Sequence, residues 1–383
     1  MIQKDTPKKV IIIGGGKIGS TIFDFLSIYE NLEITLADRD KDLLTYHQEH
    51  NPPSSLQKTL IIKSSDDFEQ LFRLNGYQAI INAGPFSLSI PLAQAAFNQG
   101  LSYFDLTEDV KSCQFIQQLT KLSKTQQVFI PQCGLAPGFI SILARNLYDK
   151  FERLESVQLR VGALPQFPTN QMLYNLTWST AGLVNEYCNL CQAIEHSELV
   201  QQAALENKEM FSLEGIEYEA FNTSGGLGTL TQSLAGHVEQ LNYKTVRYPG
   251  HRDLMKFLLK DLKFHQQEKR NDLIQLLDDS IPMTAQDMVL IMVTVSGDVK
   301  YAQAGMKKYQ QRTALRRIYH QTISLPNQAS KSYSAIQIST AASLCAVFEL
   351  WLNNQLPNVG FVRQESISLE YFYKTYYGQY LMP

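Results

Sequence analysis

Cysteine is scarce in this chain: five residues in 383, an odd and scattered set. That fits a reducing, cytoplasmic setting better than a disulfide scaffold. An excess of one charge is lacking too. Lys and Arg total 34 against 37 Asp and Glu, a formal net charge of −3, which argues against nucleic acid as the main partner. No apolar run is long and clean enough for a bilayer. The longest, Ala335 to Leu352, is interrupted by Gln337, Ser339, Thr340 and Glu349 and reads as a buried or half-buried helix, so no membrane partner is expected. The polar opening through Lys8 and Lys9 carries no readable signal peptide, and neither an internal repeat nor a low-complexity linker is visible. What remains is an ordinary globular composition, 44% hydrophobic and 19% charged. At ~150 residues per domain the length suggests two domains.

One stretch is dense in information. The apolar run Val10–Ile13 opens into Gly14-Gly-Gly-Lys-Ile-Gly19, a helix-like segment follows, and a second apolar run ends on Asp38. Each glycine of a G-x-G-x-x-G turn has its own task. Gly14 permits the tight strand-to-helix turn, Gly16 lets backbone approach a pyrophosphate, and Gly19 lets the helix pack on the strand. The N–H groups at the helix start, around Lys17 and Ile18, then face the anion. Asp38 falls 19 positions after Gly19, where a carboxylate that binds a ribose 2′-OH is expected. The alternative, a glycine-rich turn without a ligand, does not account for strand, helix and terminal acid in register. Asp38 would repel a 2′-phosphate, which favours NAD; the neighbouring Arg39 could pair with that phosphate, so NADP stays possible.

The first third of the chain alternates short apolar runs with helical spacing. Val10–Ile13, Leu32–Ala37, Leu60–Ile62, Ala79–Asn82, Ser102–Leu106 and Val128–Pro131 read as six strands. Their continuous apolar character predicts parallel strands covered on both faces, hence an α/β, Rossmann-type doubly wound sheet. After Pro137-Gly138 the texture changes. A helix over Phe139–Tyr148 precedes strands at Val157–Val161, Leu173–Trp178, Ile216–Phe221, Lys244–Tyr248 and Met288–Ser296. Helices follow at Arg252–Phe264, Arg270–Asp278 and Ser334–Leu352. This mixture predicts an α+β second domain. The basic run Lys307, Lys308, Arg312, Arg316, Arg317 and the charged first half of the segment Glu206–Leu213 read as solvated.

Further strings share one pattern: Asn82-Ala-Gly-Pro-Phe86, Phe104-Asp-Leu-Thr107, Cys133-Gly-Leu-Ala-Pro-Gly138, Leu176-Thr-Trp-Ser179, Ala220–Leu230 with its glycine-rich Thr-Ser-Gly-Gly-Leu-Gly-Thr, and Thr245-Val-Arg-Tyr-Pro-Gly-His251. Together they resemble the saccharopine dehydrogenase (saccharopine reductase) and lysine 6-dehydrogenase family over nearly the whole chain. The resemblance implies an NAD(P)-dependent oxidoreductase that acts on a C–N bond of a small amino-acid substrate by hydride transfer. It also implies a homodimer, a nucleotide domain over residues 1–137, an inserted substrate and dimerisation domain over 138–333, and a return of 334–383 to the first domain.

The candidate site residues follow from the strand ends and these strings. Asn82, Ala83, Gly84 and Pro85 end the fourth strand, where small residues permit close approach to a nicotinamide ribose; Pro85 alternatively opens a rigid strand-to-helix turn. Asp105, after the fifth strand, binds a substrate amine or the cofactor, or caps the next helix. Cys133 and Gly134 stand where the chain leaves the nucleotide domain. Hydride transfer needs no thiol nucleophile, so Cys133 is expected to pack beside the nicotinamide. Arg247 suits a substrate carboxylate. His251 and Tyr248 are the candidate proton donors, with an exposed loop as the plainer alternative. Gly225 and Gly226 could offer backbone N–H groups to a carboxylate. Thr177 and Trp178 form a pocket wall, with Trp178 equally suited to a core.

No metal site is expected. Cys188-Asn-Leu-Cys191 with His196 lacks a second ligand pair, and His47 with His50 sits on a polar stretch that reads as exposed. Three enzymatic readings stay open: saccharopine cleavage or formation, lysine 6-deamination, and a polyamine-forming relative of the carboxynorspermidine or homospermidine type. A pocket for the three carboxylates of saccharopine needs several cations, for which Arg145, Arg160, Arg247, Arg252 and Arg363 are available. A non-catalytic NAD(P)-binding sensor is the reading of a different class.

Overall fold

Strands that are apolar on both faces need cover on both faces, and the first part of the chain supplies it by alternation. The computed structural model describes residues 7–50, 56–63, 68–121, 126–301, 307–326 and 328–383. It opens with β1 (Lys8–Ile13), α1 (Lys17–Leu26), β2 (Leu32–Asp38), α2 (Lys41–His50), β3 (Gln57–Ile61), α3 (Phe68–Asn75), β4 (Ala79–Asn82), α4 (Ser89–Gln99), β5 (Ser102–Asp105), α5 (Val110–Thr120) and β6 (Val128–Ile130). Next come α6 (Phe139–Tyr148), β7 (Phe151–Pro165), α7 (Thr180–Cys188), β8 (Cys191–Glu195), β9 (Glu198–Gln202), β10 (Glu209–Leu213), β11 (Ile216–Asn222), α8 (Leu230–Leu234), β12 (Val238–Arg247), α9 (His251–Lys256), α10 (Gln267–Ser280), β13 (Asp287–Val299) and β14 (Tyr309–Tyr319). The chain closes with β15 (Gln321–Ile323), β16 (Lys331–Tyr333), α11 (Ala335–Leu352), β17 (Gly360–Phe361) and α12 (Leu369–Lys374).

Two units divide these elements. The first comprises Met1–Phe139, Thr322–Ser332 and Gln337–Leu381; the second comprises Ile140–Gln321, Tyr333–Ile336 and Met382–Pro383. In the first, seven parallel strands run β17-β6-β5-β4-β1-β2-β3, so the chain reverses its winding direction beside β1. That makes the carboxyl ends of β1 and β4 the ligand crevice of a doubly wound sheet. Register brings the ends level: Ile13 stands opposite Ala37 and Asn82, and Asn82 opposite Asp105. Gly14, Asp38 and Ala83 therefore emerge side by side. Helix α11 is a core element, with Ala341, Leu344, Cys345, Val347 and Phe348 fully buried and Phe348 edge-on to Phe104 at 5.0 Å.

The second unit is built on a mixed sheet, β10-β11-β12-β7-β13-β14, with β8 and β9 attached beside β12. One face of its central strands packs against α7, α9 and α10 through Tyr174, Leu183, Tyr187, Phe221, Met255 and Leu273. The other carries Leu164, Tyr218, Val246 and Leu290. One expectation changes here. Leu173–Trp178 is not a strand. Asn170 accepts from Met172 N and donates to the Tyr174 carbonyl, and this local turn pulls the segment out of extended pairing, leaving only a bridge from Leu176 to Met283. Part of Glu206–Leu213 forms β10, and most of the basic run lies in β14, paired with β13 along its length.

Candidate functional site

The glycine turn is shaped by what its residues lack. Gly14 has φ +101°, and a β-carbon there would lie 2.6 Å from Gly84 N, so the turn at the end of β1 and the end of β4 touch backbone to backbone. A β-carbon at Gly19 would overlap the Gly14 carbonyl oxygen, whereas one at Gly16 would meet nothing within 4 Å. Packing thus accounts for two of the glycines. The third leaves an exposed approach to the first amides of α1, which has no side-chain cap and no acid in its first turn. Lys17 and Ile18 are half-buried at that helix start. Asp38 Oδ2 accepts from Gly15 N at 2.6 Å and Oδ1 from Asp40 N at 2.9 Å, fixing the carboxylate beside the turn; Arg39 is exposed.

The next strand ends are tied to one another. Asn82 is buried; its Oδ1 accepts from Gly84 N at 3.1 Å, which shapes the Ala83-Gly84-Pro85 turn. Asp105 is fully buried. It accepts from Thr107 N (3.1 Å), Gln132 N (2.8 Å) and Tyr103 Oη (3.0 Å). Burial pushes its carboxyl up to about 6, against the pull of those donors. Cys133 is likewise fully buried, with its sulfur facing the Ile130 carbonyl at 2.9 Å and Gln364 Nε2 at 3.3 Å. Burial raises its thiol pKa. Gly134 receives Ser343 Oγ on its carbonyl at 2.8 Å and leads to Gly138 at φ +136°.

In the second unit, strand alternation separates neighbours. Arg247 ends β12 on the face that carries Thr245 and Phe221, and its guanidinium lies 5.1 Å from the Tyr174 ring. Arg247 is 2% exposed. Nη1 donates to the Val246 carbonyl at 2.9 Å, while Nε, like the buried Tyr174 hydroxyl, has no hydrogen-bond partner. Burial opposes its charge, and Tyr187, Tyr174 and Glu186 around it more than compensate. Among the described residues no carboxylate forms an ion pair with Arg247, whereas Arg145, Arg160 and Arg252 are each paired with acids. His251 is fully buried beside this cluster. Its Nδ1 faces the Met172 carbonyl at 3.1 Å and Nε2 faces Tyr187 Oη at 3.1 Å. A carbonyl only accepts, so Nδ1 carries the proton and Nε2 accepts from the tyrosine.

Residues 10–128 match the saccharopine dehydrogenase NADP binding domain, and residues 134–380 match the saccharopine dehydrogenase C-terminal domain. The chain belongs to the saccharopine dehydrogenase family. The fold is also that of apo saccharopine dehydrogenase (L-Glu forming) from Saccharomyces cerevisiae, with a TM-score of 0.70 over 95% of each chain at 14% identity. Alpha-aminoadipic semialdehyde synthase, mitochondrial, of Rattus norvegicus is 24% identical over 195 residues, and that of Mus musculus 22% over 193. Each stretch covers 48% of this chain and 20% of the relative, so the chain spans a fifth of the length of these curated relatives. Membership places it in a family of saccharopine dehydrogenase-like, NAD(P)-binding oxidoreductases.

For a member of this family several expected roles need correction. His251 is packed in the core and not on an exposed loop: burial first, then the Arg247 charge, lower its pKa to about 3, and both ring nitrogens face partners. Tyr248 points to the opposite sheet face, where Oη donates to the Pro165 carbonyl at 3.0 Å and the ring stacks on Tyr218; burial pushes its hydroxyl up to about 12. Asp105 exposes no oxygen, and the cap of α5 is Asp109, which accepts from Ser112 N at 2.7 Å. The Cys133 sulfur is enclosed by its own unit. Gly226 serves packing, since a β-carbon there would strike the Tyr243 ring, and Gly225 sits at φ +89° in the same turn. Trp178 lies on Gly182 as part of the core, and Thr177 is fully buried. His47 is buried, not exposed; the His50 side chain lies outside the described residues. Sequence reasoning missed Tyr174 and Tyr187, whose only advance signal was helical and turn spacing of aromatics around Trp178.

Proposed function

We propose that the chain is an NAD(P)-dependent oxidoreductase acting on the CH–NH bond of an amino-acid-derived secondary amine. The substrate is of the saccharopine kind, with glutamate and aminoadipate semialdehyde as the other side of the equilibrium. Arg247 carries this reading. A buried guanidinium whose Nε lacks an acceptor, beside a buried tyrosine hydroxyl that lacks a partner, is incomplete by itself. Each such group costs about 1–3 kcal/mol unless a ligand satisfies it. A substrate carboxylate supplies acceptor oxygens and the opposite charge, in the planar geometry a guanidinium matches. The aromatic walls from Tyr174 and Tyr187 keep water from competing.

The glycine turn and the first amides of α1 are the part of the chain that holds the cofactor's pyrophosphate, and Asp38 is the part that reads its ribose. When bound, the nicotinamide supplies the hydride acceptor or donor for interconverting amine and imine. Asp38, fixed by Gly15 N, presents negative charge where a 2′-phosphate would sit, so we read the preference as NAD over NADP. The test follows NADH and NADPH absorbance with saccharopine, with lysine, and with glutamate plus aminoadipate semialdehyde. Turnover with saccharopine or its products supports the proposal, turnover with lysine alone redirects it to a deaminating enzyme, and silence with all under both cofactors overturns it.

A further inference from the structure

His47 has no part in the reading above, yet the fold connects it to the glycine turn. The side chain is 6% exposed, held edge-on between the rings of Phe23 and Tyr46 at 5.9 Å each. Its Nε2 stands 2.7 Å from Ser20 Oγ, and Ser20 Oγ donates to the Gly15 carbonyl. A hydroxyl has one proton to donate, so with Ser20 directed at Gly15, Nε2 of His47 is the donor to Ser20. The chain of bonds therefore runs from α2 through α1 into the turn.

Its end point matters because of peptide geometry. The Gly15 carbonyl and the Gly16 N–H belong to one planar trans unit and point in opposite directions. Holding the carbonyl fixes where the Gly16 N–H aims. Gly16 is exposed and caps the start of α1, with open space around it. The peptide on the other side of Gly15 is held independently by its N–H bond to Asp38 at 2.6 Å. Both planes flanking Gly15 are thus set by side chains from outside the turn, and linked hydrogen bonds of this kind polarise one another.

We propose that His47 is a positioning residue for the dinucleotide: through Ser20 it locks the Gly15–Gly16 peptide so that the Gly16 amide faces the pyrophosphate. This rests on the cofactor reading given under Proposed function. The experiment titrates NADH and NADPH by fluorescence into the wild-type chain and into His47→Phe, His47→Gln, Ser20→Ala and the His47→Phe/Ser20→Ala double variant, with thermal melts alongside. His47→Phe and Ser20→Ala should each raise Kd roughly tenfold, and the double variant should lose no more than either alone. His47→Gln, which keeps a side-chain N–H donor, should recover part of the affinity. The cofactor KM should rise while kcat at saturating cofactor stays within about twofold. If His47→Phe fails to fold, Ser20→Ala and His47→Gln carry the same test. Wild-type affinity in Ser20→Ala, or losses that add in the double variant, overturns the relay alone. A wild-type chain that binds neither dinucleotide overturns the cofactor reading and this inference with it.

Discussion

The two units present their candidate sites in opposite ways. In the first, the binding surface is main chain. Glycines remove side chains so that Gly14 can touch Gly84 and the amides of α1 lie open. In the second, the surface is side chain: Arg247, Tyr174 and Tyr187 crowd one face of a sheet, and burial leaves selected polar atoms without partners. A main-chain site recognises what every dinucleotide shares, its phosphates. A side-chain site recognises what distinguishes one substrate from another.

Four measurements can break or sharpen this contrast. The largest effect belongs to Gly19→Val, which drives a branched side chain into the Gly14 carbonyl. NADH and NADPH affinity should fall by about a hundredfold or more, with a loss of at least about 1–3 kcal/mol in stability on chemical denaturation. Undiminished binding would mean that the turn is not where the cofactor rests. Arg247→Gln comes next. The KM of a carboxylate-bearing substrate should rise about 30- to 150-fold, equivalent to about 2–3 kcal/mol, while the NADH Kd stays put. A change in cofactor affinity of the same size would make Arg247 a structural residue instead.

Acid titration sets the two units against each other. Burial lowers His251 to about 3, so the unfolded chain binds this proton first. Stability from His251 is complete above about pH 6.5 and declines as pH falls toward 3, by about 1.4 kcal/mol per pH unit at most. Burial raises Asp105 to about 6, so the folded chain binds that proton first. Its contribution is complete below about pH 3.8 and is lost as pH rises through 6. Denaturant melts between pH 4 and 7 should therefore show a shallower acid loss in His251→Gln than in wild type, and a steeper one in Asp105→Asn. Parallel curves for all three would refute both assignments. The smallest effect is expected of Cys133→Ala, with a change of about twofold or less in KM and kcat. The native thiol should resist alkylation until unfolding, because it is fully buried and its pKa is raised.

Legibility differed between the units for a physical reason. The strand, turn, helix and acid of residues 10–38 act on one another within a single βαβ unit, so their spacing is readable along the chain. Even there the reason for Gly14 was only half visible, because its close neighbour Gly84 comes from another strand. In the second unit a strand over Lys244–Tyr248 alternates its side chains, and that alternation separates Arg247 from Tyr248. The fate of His251 was not readable at all. A Gly-His pair after a strand is compatible with a loop, a ligand or a core, and only the packing of Tyr187 and the Met172 carbonyl against the ring decides for the last.

By itself the sequence determined the doubly wound sheet and the glycine turn at the end of its first strand, because continuous apolar strands and glycine positions constrain backbone locally. It also argued against a disulfide framework, since its five cysteines are an odd and scattered set. Tertiary structure alone decided which ionisable groups are available for chemistry. Burial and hydrogen-bond partners are set by residues distant in the chain: Gln132 for Asp105, Gln364 for Cys133, Tyr187 for His251. It also decided that Arg160 and Arg252 are paired with acids whereas Arg247, among the described residues, forms no ion pair. Charge becomes a binding site where the fold withholds its partner.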